Sequence, residues 1–568
     1  MADQPIDIEP KRKRAERRWS AMKTDRTQFE PHWRELAEYF MPRRGRWELG
    51  EDAKRGQKKH QKIVDGTTIF AARILQSGMM AGLTSPARPW FMLTTPDPDL
   101  AEFGSVKEWL HQVTQRMRDV FAKSNLYNAL PTIYGELGTF GTGAILALED
   151  PKDVMRYYPQ TIGSYWLAES ARGDVDTLYR QRRYTVRQLV QEFGIDNVSP
   201  KSRDQFRRGN YEATVDVLHV VEPNDERVLG RMDAAGMAIR SCYFEQACDD
   251  YAAPLSERGY RESPILAPRW TLIGGDVYGS SPGMDALGDA KALQFQQRRK
   301  AVAIDKMIDP PLTGPSALKN QRVSLLPGDV TYVDINSESA RLRSIYDVRL
   351  EPSMLLEDTR AIQERVNSAF YADLFLMLSM SDRRQITARE IEERHEEKLL
   401  MLGPVLERLN DELLDPLIDR TFAAMLRGGQ IPPPPRELEG VDLKVEYVSI
   451  LAQAQKMVAL GAIDRLAMFA GTVAQITQQP VDKVDWDQAI DEYGQALGVS
   501  PRVIVPDDKV AEARGARAQQ QQAQQVAMMA QPMAQAASAA KAMSETKTGT
   551  GSALDAVLGG AGAASGAA

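Results

Sequence analysis

The sequence has few cysteines and no long apolar run. Its only cysteines, Cys242 and Cys248, provide no disulfide framework and fit a reducing compartment. Their C-x5-C spacing matches no common zinc motif. No apolar stretch approaches the roughly 20 residues that a membrane helix needs, and the charged N-terminus does not resemble a signal peptide. We therefore expect a soluble protein of more than one domain, with no metal, no cofactor and no membrane contact.

Positive charge is not in excess either. Lysines and arginines number 71 against 78 aspartates and glutamates, a net charge of −7. This argues against a protein whose whole surface binds nucleic acid, because phosphate binding scales with neutralising cations. The negative net charge is compatible with a protein that lets DNA slide past its surface. The basic cluster Lys11–Arg14 with Arg17 and Arg18 allows two interpretations, contact with phosphates or, more simply, a solvated helix face.

Motifs for catalysis are weak. Residues 279–283 match G-x-S-x-G, the turn that presents a hydrolase serine, here Ser281. The next residue is Pro282, which lacks the N–H that an oxyanion hole needs, so capping of a helix by Ser281 explains the pattern better. The glycines of segment 135–143 match no phosphate-binding loop and predict close packing or turns. We expect no enzymatic activity, with a hydrolase using Ser281 as a remote alternative.

Two long helix patterns flank an insert rich in proline and glycine. The first begins at the Ser281 cap and ends at Ile308, before Asp309-Pro310-Pro311, so it is about 40 Å long. Its stripe of small and polar residues would let neighbouring helices approach closely. The second pattern covers 352–378 and has one apolar face. The insert, 309–351, predicts a small module of strands and turns.

A polar and basic loop, 379–386, follows the second helix pattern. A capping box at Thr387–Glu390 then begins a third helix over 387–428, in which Pro404 and Pro416 predict kinks. The proline run 432–435 is a stiff connector before a strand pattern at 442–448. Beyond residue 507 the Ala- and Gln-rich sequence predicts a helix from about Asp508 to Ala530, provided that copies pack together, because Pro532 would break it. The Gly/Ala tail beyond Thr548 is predicted to be disordered.

Several motifs occur in a recognisable order across residues 19–450. The most specific is Ala81-Gly82-Leu83-Thr84-Ser85-Pro86-Ala87-Arg88-Pro89-Trp90-Phe91, and the others are 31–33, 41–43, 63–67, 140–144, 278–282, 310–311, 386–391, 402–405, Glu412 and 416–418. Together they resemble the head-to-tail connecting protein family of short-tailed bacteriophages, the portal proteins. The C-terminal tail contributes nothing to the resemblance.

The resemblance implies a fold class, α/β but mainly α, of the portal type. Its expected parts are a basic N-terminal segment (1–18), an α/β wing (19–280), stem helix 1 (281–308), a small α/β clip (309–351), stem helix 2 (352–378), a tunnel loop (379–386), a kinked helix (387–428), a wing and crown region (436–507) and a C-terminal helix with its tail (508–568).

The function that the resemblance implies is a ring, typically of twelve copies, at one capsid vertex of the virion. Double-stranded viral DNA would enter and leave through its channel. The implied partners are the terminase large subunit, the major capsid and scaffolding proteins, the tail adaptor or tail tube and internal core proteins, with assembly in the host cytoplasm. A phage scaffold or tail-adaptor ring without a channel is the alternative.

The residues expected to face DNA are basic. Arg383 and Arg384 lie on the tunnel loop with Ser379, Met380, Ser381, Asp382 and Gln385, and would contact DNA or form salt bridges to neighbouring subunits. Arg298, Arg299, Lys300 and Lys306 lie on stem helix 1. They are spread around the helix, so they cannot all face a channel.

Overall fold

The computed structural model describes residues 11–45, 47, 61–97, 100, 103–246, 253–309, 311–313, 343–344, 352–380, 401–438, 440, 443–448, 466–470, 472, 484–496, 505, 507–545, 547–548 and 551–552. Over these residues the chain is mixed α/β and mainly helical, which confirms the predicted fold class of α/β, mainly α. The chain divides into two compact units. The first contains residues 1–92, 113–432 and 445–489, and the second contains 93–112, 433–444 and 490–568.

The elements before residue 281 are both helices and strands. The helices are α1 (Lys11–Thr27), α2 (Glu30–Tyr39), α3 (Thr67–Leu83), α4 (Gly104–Lys123), α5 (Leu126–Phe140), α6 (Val186–Phe193) and α7 (Pro200–Arg207). The strands are β1 (Phe91–Thr94), β2 (Ala144–Asp150), β3 (Val154–Gln160), β4 (Tyr165–Glu169), β5 (Val175–Thr185), β6 (Thr214–Pro223), β7 (Ile239–Glu245), β8 (Ser256–Tyr260) and β9 (Ile265–Leu266).

A five-stranded antiparallel sheet, in the order β4-β5-β6-β7-β8, carries a core on each face. Successive side chains of a strand point to opposite faces, so β6 contributes Val217 to one core and Leu218 to the other. Trp19 of α1 packs in the core that contains Leu218, and Leu189 of α6 packs in the core that contains Val217. A second sheet has the order β3-β2-β9.

Helix α1 corrects the interpretation of the N-terminal basic cluster as a solvated helix face, whereas contact with phosphates stays a prediction. The helix runs through the predicted boundary at residue 18, and its basic side chains are not simply solvated. Carboxylates of the same unit bind them: Lys11 pairs with Glu257 at 2.6 Å, Arg14 with Glu226 at 2.8 Å and Arg18 with Glu222 at 3.0 Å. Sequence reasoning missed these ion pairs because the partners lie more than 200 positions away in the chain.

The next elements are α8 (Pro282–Ile308), β10 (Leu312–Thr313), β11 (Arg343–Ser344), α9 (Pro352–Ala369) and α10 (Ala372–Met380). Helix α8 has the two ends that the sequence predicts. The prediction of one continuous helix over 352–378 is wrong, because Phe370 and Tyr371 separate α9 from α10. Tyr371 has φ 53°, a left-handed conformation that a right-handed helix cannot contain.

The third predicted helix is described from residue 401 onward. It passes through Pro404 without interruption and then widens into a π-helical segment, Asn410–Leu414, before α11 (Asp415–Arg427). The Asp415 N–H bonds to the Asn410 carbonyl, five residues back. This widening stands where Pro416 was predicted to disturb the helix, because proline lacks the N–H that a regular turn would use.

The remaining elements are β12 (Lys444–Tyr447), α12 (Trp486–Ala496), α13 (Asp507–Glu545), β13 (Lys547–Thr548) and β14 (Gly551–Ser552). Strand β12 confirms the strand pattern at 442–448. The predicted end of the C-terminal helix before Pro532 is wrong, because α13 continues through that proline. One proline removes a single backbone hydrogen bond, and the surrounding alanines and glutamines favour helix. Residues 553–568 of the predicted disordered tail lie outside the described residues.

Candidate channel helices and their anchorage

Helix α8 is fixed at its first turn by Ser281. The Ser281 hydroxyl accepts a hydrogen bond from Met284 N at 3.1 Å and donates one to the Thr139 carbonyl at 2.7 Å. Ser281 is only 1% exposed. The predicted helix cap is therefore confirmed, and the hydroxyl of the G-x-S-x-G match is committed to backbone partners inside the core.

The glycine-rich end of α5 allows the backbone before α8 to approach closely. Gly141 has φ 81°, and a Cβ added there would lie 2.1 Å from the Gly279 carbonyl oxygen. The Gly279 N–H also donates to Thr142 Oγ1 at 2.8 Å. Close packing and turns, predicted for the glycines of segment 135–143, are thus confirmed. Only glycine can combine this φ with this contact.

Asp65, in the loop before α3, connects both candidate channel helices. One of its carboxylate oxygens accepts from Thr67 N, and the other accepts from Gln297 of α8 at 3.1 Å and from Gln363 of α9 at 2.9 Å. Burial alone would raise the pKa of Asp65, but the hydrogen bonds from Thr67, Gln363 and Gln297 outweigh it and lower the pKa below its ordinary value. Gln294 of α8 completes the contact by binding the backbone of Asp65.

Polar side chains also join α8 directly to α9. Arg365 donates to Asp289 through two nitrogens, at 2.8 and 3.1 Å, and Gln296 donates to Asp358 at 2.6 Å. These contacts are exposed, so each contributes little on its own. Together with the Asp65 contacts they fix which faces of the two helices meet.

The second half of α8 differs from the first. Its buried residues, such as Ala290 and Leu293, lie in the first half. Beyond residue 300 the large apolar side chains face solvent, with exposed fractions of 54% for Val302, 45% for Ile304 and 79% for Ile308. An exposed apolar surface of this kind is typical of a protein interface.

The basic residues predicted on this helix have different surroundings. Arg298 donates to the Lys62 carbonyl at 2.7 Å, which ties it to the loop before α3. The Arg299 guanidinium lies 4.4 Å from the centre of the Phe295 ring, a cation–π distance. Lys300 is half-buried and Lys306 is exposed. Their assignment to a DNA channel stays a prediction.

The predicted tunnel loop is described only where it begins. Ser379 and Met380 form the end of α10, so the helix is two residues longer than predicted. Ser381, Asp382, Arg383, Arg384 and Gln385 lie outside the described residues, as do the capping box at 387–390 and nearly all of the predicted clip.

The π-helical segment places Glu412 against a buried arginine. Arg269, 2% exposed, donates to Glu412 Oε1 at 2.7 Å and to Glu169 at 3.2 Å, and the Arg269 backbone N–H donates to Glu412 Oε2 at 2.7 Å. Sequence reasoning noted Glu412 as part of a motif but missed this role, because the partner is 143 positions away.

Known proteins resemble this chain over nearly its whole length. The sequence pattern of the family described as "Bacteriophage head to tail connecting protein" matches residues 12–505. The chain belongs to this family, which confirms the resemblance predicted from the sequence. The portal protein of Salmonella phage epsilon15 is 50% identical over 556 residues, 98% of this chain and 99% of that protein. The probable portal protein of Bordetella phage BPP-1 is 47% identical over 512 residues, 90% and 92% of the two chains.

Among solved structures, a chain from the virion of a gene transfer agent particle aligns with a TM-score of 0.35 and 9% identity. The alignment covers 71% of this chain and 86% of the chain from the particle. A likeness at this level does not bear on the fold. In the described part of the chain, none of the helices has the length and apolar character of a membrane span, and no cluster of three potential metal ligands occurs.

Proposed function

We propose that the chain is the subunit of a portal ring, the connector that forms a DNA channel at one vertex of a phage capsid. The observation that carries this proposal is membership of the connector family, together with near-complete coverage of two relatives named as portal proteins. The ring would be a virion component that is assembled in the host cytoplasm. Terminase, capsid, scaffolding, tail and internal core proteins would bind it there.

The exposed half of α8 supports assembly of copies. Val302, Ile304 and Ile308 would lose contact with water if the same helices of the two neighbouring copies in a ring packed on either side of α8, which is favourable at about 25 cal/mol per Å² of apolar surface. The first half of the helix is already covered by its own unit. The second half is therefore the part available to form a wall between copies.

Charge supports a channel that does not hold DNA tightly. A chain with net charge −7 provides few cations for phosphate, so DNA would make weak contacts and slide. Arg383 and Arg384 remain the leading candidates for these contacts, with Arg298, Arg299, Lys300 and Lys306 as further candidates. Changing Arg383 and Arg384 to alanine should leave rings intact and weaken packaging or retention of DNA. Intact rings with normal packaging would favour the scaffold or tail-adaptor alternative.

Native mass spectrometry with imaging tests the ring. We expect a species near twelve times the 63.3 kDa chain, with a central hole. Changing both Val302 and Ile304 to aspartate should reduce it to smaller species. Leu229→Asp, at a side chain 80% exposed in the first unit, is the matched control and should leave the ring unchanged. If the double variant also forms complete rings, this half of α8 does not form the interface.

The proposed role is structural and includes no catalysis. The energy for DNA movement would come from the terminase partner. DNA cleavage or ATP hydrolysis by the purified chain without terminase, lost on Ser281→Ala, would instead revive the hydrolase alternative.

A further inference from the structure

A cleft of about 240 Å³ lies between the end of α2 and the middle of α3. Its apolar lining includes Phe40 and Ala72, both of which are buried. Three arginines, Arg43, Arg44 and Arg73, line the same cleft together with the amide of Gln76. Nothing in the proposed channel uses this cleft.

Local structure explains why these side chains meet. After α2 the chain makes a turn in which Arg44 N donates to the Met41 carbonyl at 2.8 Å, so Arg43 and Arg44 follow the helix end directly. Thr68 Oγ1 donates to the Tyr39 carbonyl at 2.8 Å and fixes the start of α3 beside this turn. Arg73 and Gln76 are three residues apart on α3 and therefore share one face.

The charges in the cleft are not balanced. Arg44 lies 3.4 Å from Glu136, a fully buried carboxylate that also accepts a hydrogen bond from Ile162 N. Arg43 and Arg73 are exposed, and neither makes a hydrogen bond or ion pair within the part of the chain that the structure describes. Two positively charged side chains thus line one concave site in an acidic chain.

We propose that this cleft binds a phosphate group through Arg43 and Arg73. A guanidinium presents a planar set of donors that matches two phosphate oxygens, and two such groups together match a doubly charged anion. The Gln76 amide adds a neutral donor, and the apolar lining on one side of the cleft lowers the local dielectric constant around these contacts. Free phosphate and the backbone of duplex DNA share this chemistry. The site does not depend on ring assembly or on the proposed channel.

The first test uses inorganic phosphate with the full-length chain. Thermal unfolding is followed while phosphate replaces chloride at constant ionic strength, and we expect the midpoint to rise with phosphate. Changing both Arg43 and Arg73 to alanine should reduce the rise to the general stabilisation that phosphate gives any folded protein. The double variant Arg172→Ala/Arg207→Ala loses the same charge at two exposed arginines and should keep the full rise. Equal midpoints of all three proteins without phosphate would show that the variants fold.

The second test identifies the source of the phosphate. Binding of a 30-base-pair duplex is measured by fluorescence anisotropy over a series of salt concentrations. If the cleft holds one DNA phosphate, the Arg43/Arg73 variant should reduce the slope of log K against log salt by about 0.9, and the control pair should not. An unchanged slope with a lost phosphate effect assigns the cleft to free phosphate. A wild-type chain without a phosphate-specific rise, or a variant that retains the rise, overturns the proposal.

Discussion

The carboxylate of Asp65 accepts a hydrogen bond from the amide of Gln363 at 2.9 Å, across 298 positions of the chain. The same oxygen accepts from Gln297, so a loop residue near the N-terminus holds both candidate channel helices. The two helices therefore depend on this loop for their alignment as well as on each other.

Changing Asp65 to asparagine should destabilise the first unit. The new amide keeps the shape, but it removes the charge and replaces one acceptor oxygen with a donor that faces Gln297 and Gln363 or Thr67. A hydrogen bond to a charged group contributes about 1.5–3 kcal/mol, and we expect a loss in that range in urea unfolding. Asp276→Asn, in an exposed turn, is the control. Equal losses in both variants would show that the Asp65 contacts contribute nothing specific.

The close approach at Gly141 predicts a larger effect for alanine there. The φ of 81° alone costs about 1–2 kcal/mol for a residue with a Cβ. The contact with the Gly279 carbonyl adds steric strain, so soluble protein should decrease sharply. Gly173→Ala separates the two causes, because Gly173 has φ 88° but nothing within 4 Å of an added Cβ. Similar unfolding midpoints for the two variants would contradict the importance of the contact.

Local sequence patterns predicted the helix start and the strand well. They did not predict contacts between distant segments of the chain. Ser281 followed by Pro282 marks a helix start whatever surrounds it, and Lys444–Tyr447 alternates as a strand should. Tyr371 carries no sequence signal for φ 53°, because residues other than glycine, asparagine and aspartate rarely adopt this conformation. The Arg298 contact with Lys62 likewise joins segments more than 200 positions apart, so a helix stripe could not reveal it.

The buried position of His219 predicts that the protein loses stability in mild acid. It is buried, its Nδ1 accepts from Arg180 at 2.9 Å, and its Nε2 therefore carries the proton and donates to Ser241 at 2.9 Å. Burial, with Arg180 and Arg182 nearby, holds the pKa of His219 well below its ordinary value. The unfolded chain binds a proton below pH of about 6.5 and the folded chain does not, so stability should fall as pH decreases through that value.

The test compares wild type with His219→Gln, which cannot take up the proton. Between pH 7 and 5.5 the wild type should lose about 1 kcal/mol more of its unfolding free energy than the variant. His32→Gln, at an exposed histidine of α2, controls for removal of a histidine as such. Parallel pH profiles for wild type and His219→Gln would refute the prediction.

The ion pair between Arg269 and Glu412 predicts a strong effect of Arg269→Met. Removing one partner leaves Glu412 without its main cation, and breaking a buried pair typically costs about 3–5 kcal/mol. Urea unfolding of the purified variant measures the loss. Arg408→Met is the control, since Arg408 lies on the same helix 3.6 Å from Glu412 and is more exposed. Losses of the same size would mean that burial of Arg269 is unimportant.

The π-helical segment also determines how the residues before it are rotated about the helix axis relative to α11. One extra residue in the turn Asn410–Leu414 rotates everything before it by about 100° relative to α11, since each helical residue turns by that angle. A replacement of Pro416 that let the turn relax to a regular α-helix would therefore carry Glu412 around the axis, away from Arg269. It would also rotate residues 401–409 about the helix axis, so that their side chains would point in different directions. By favouring the π-helical turn, Pro416 thus fixes the rotation of residues 401–409 about the helix axis relative to α11.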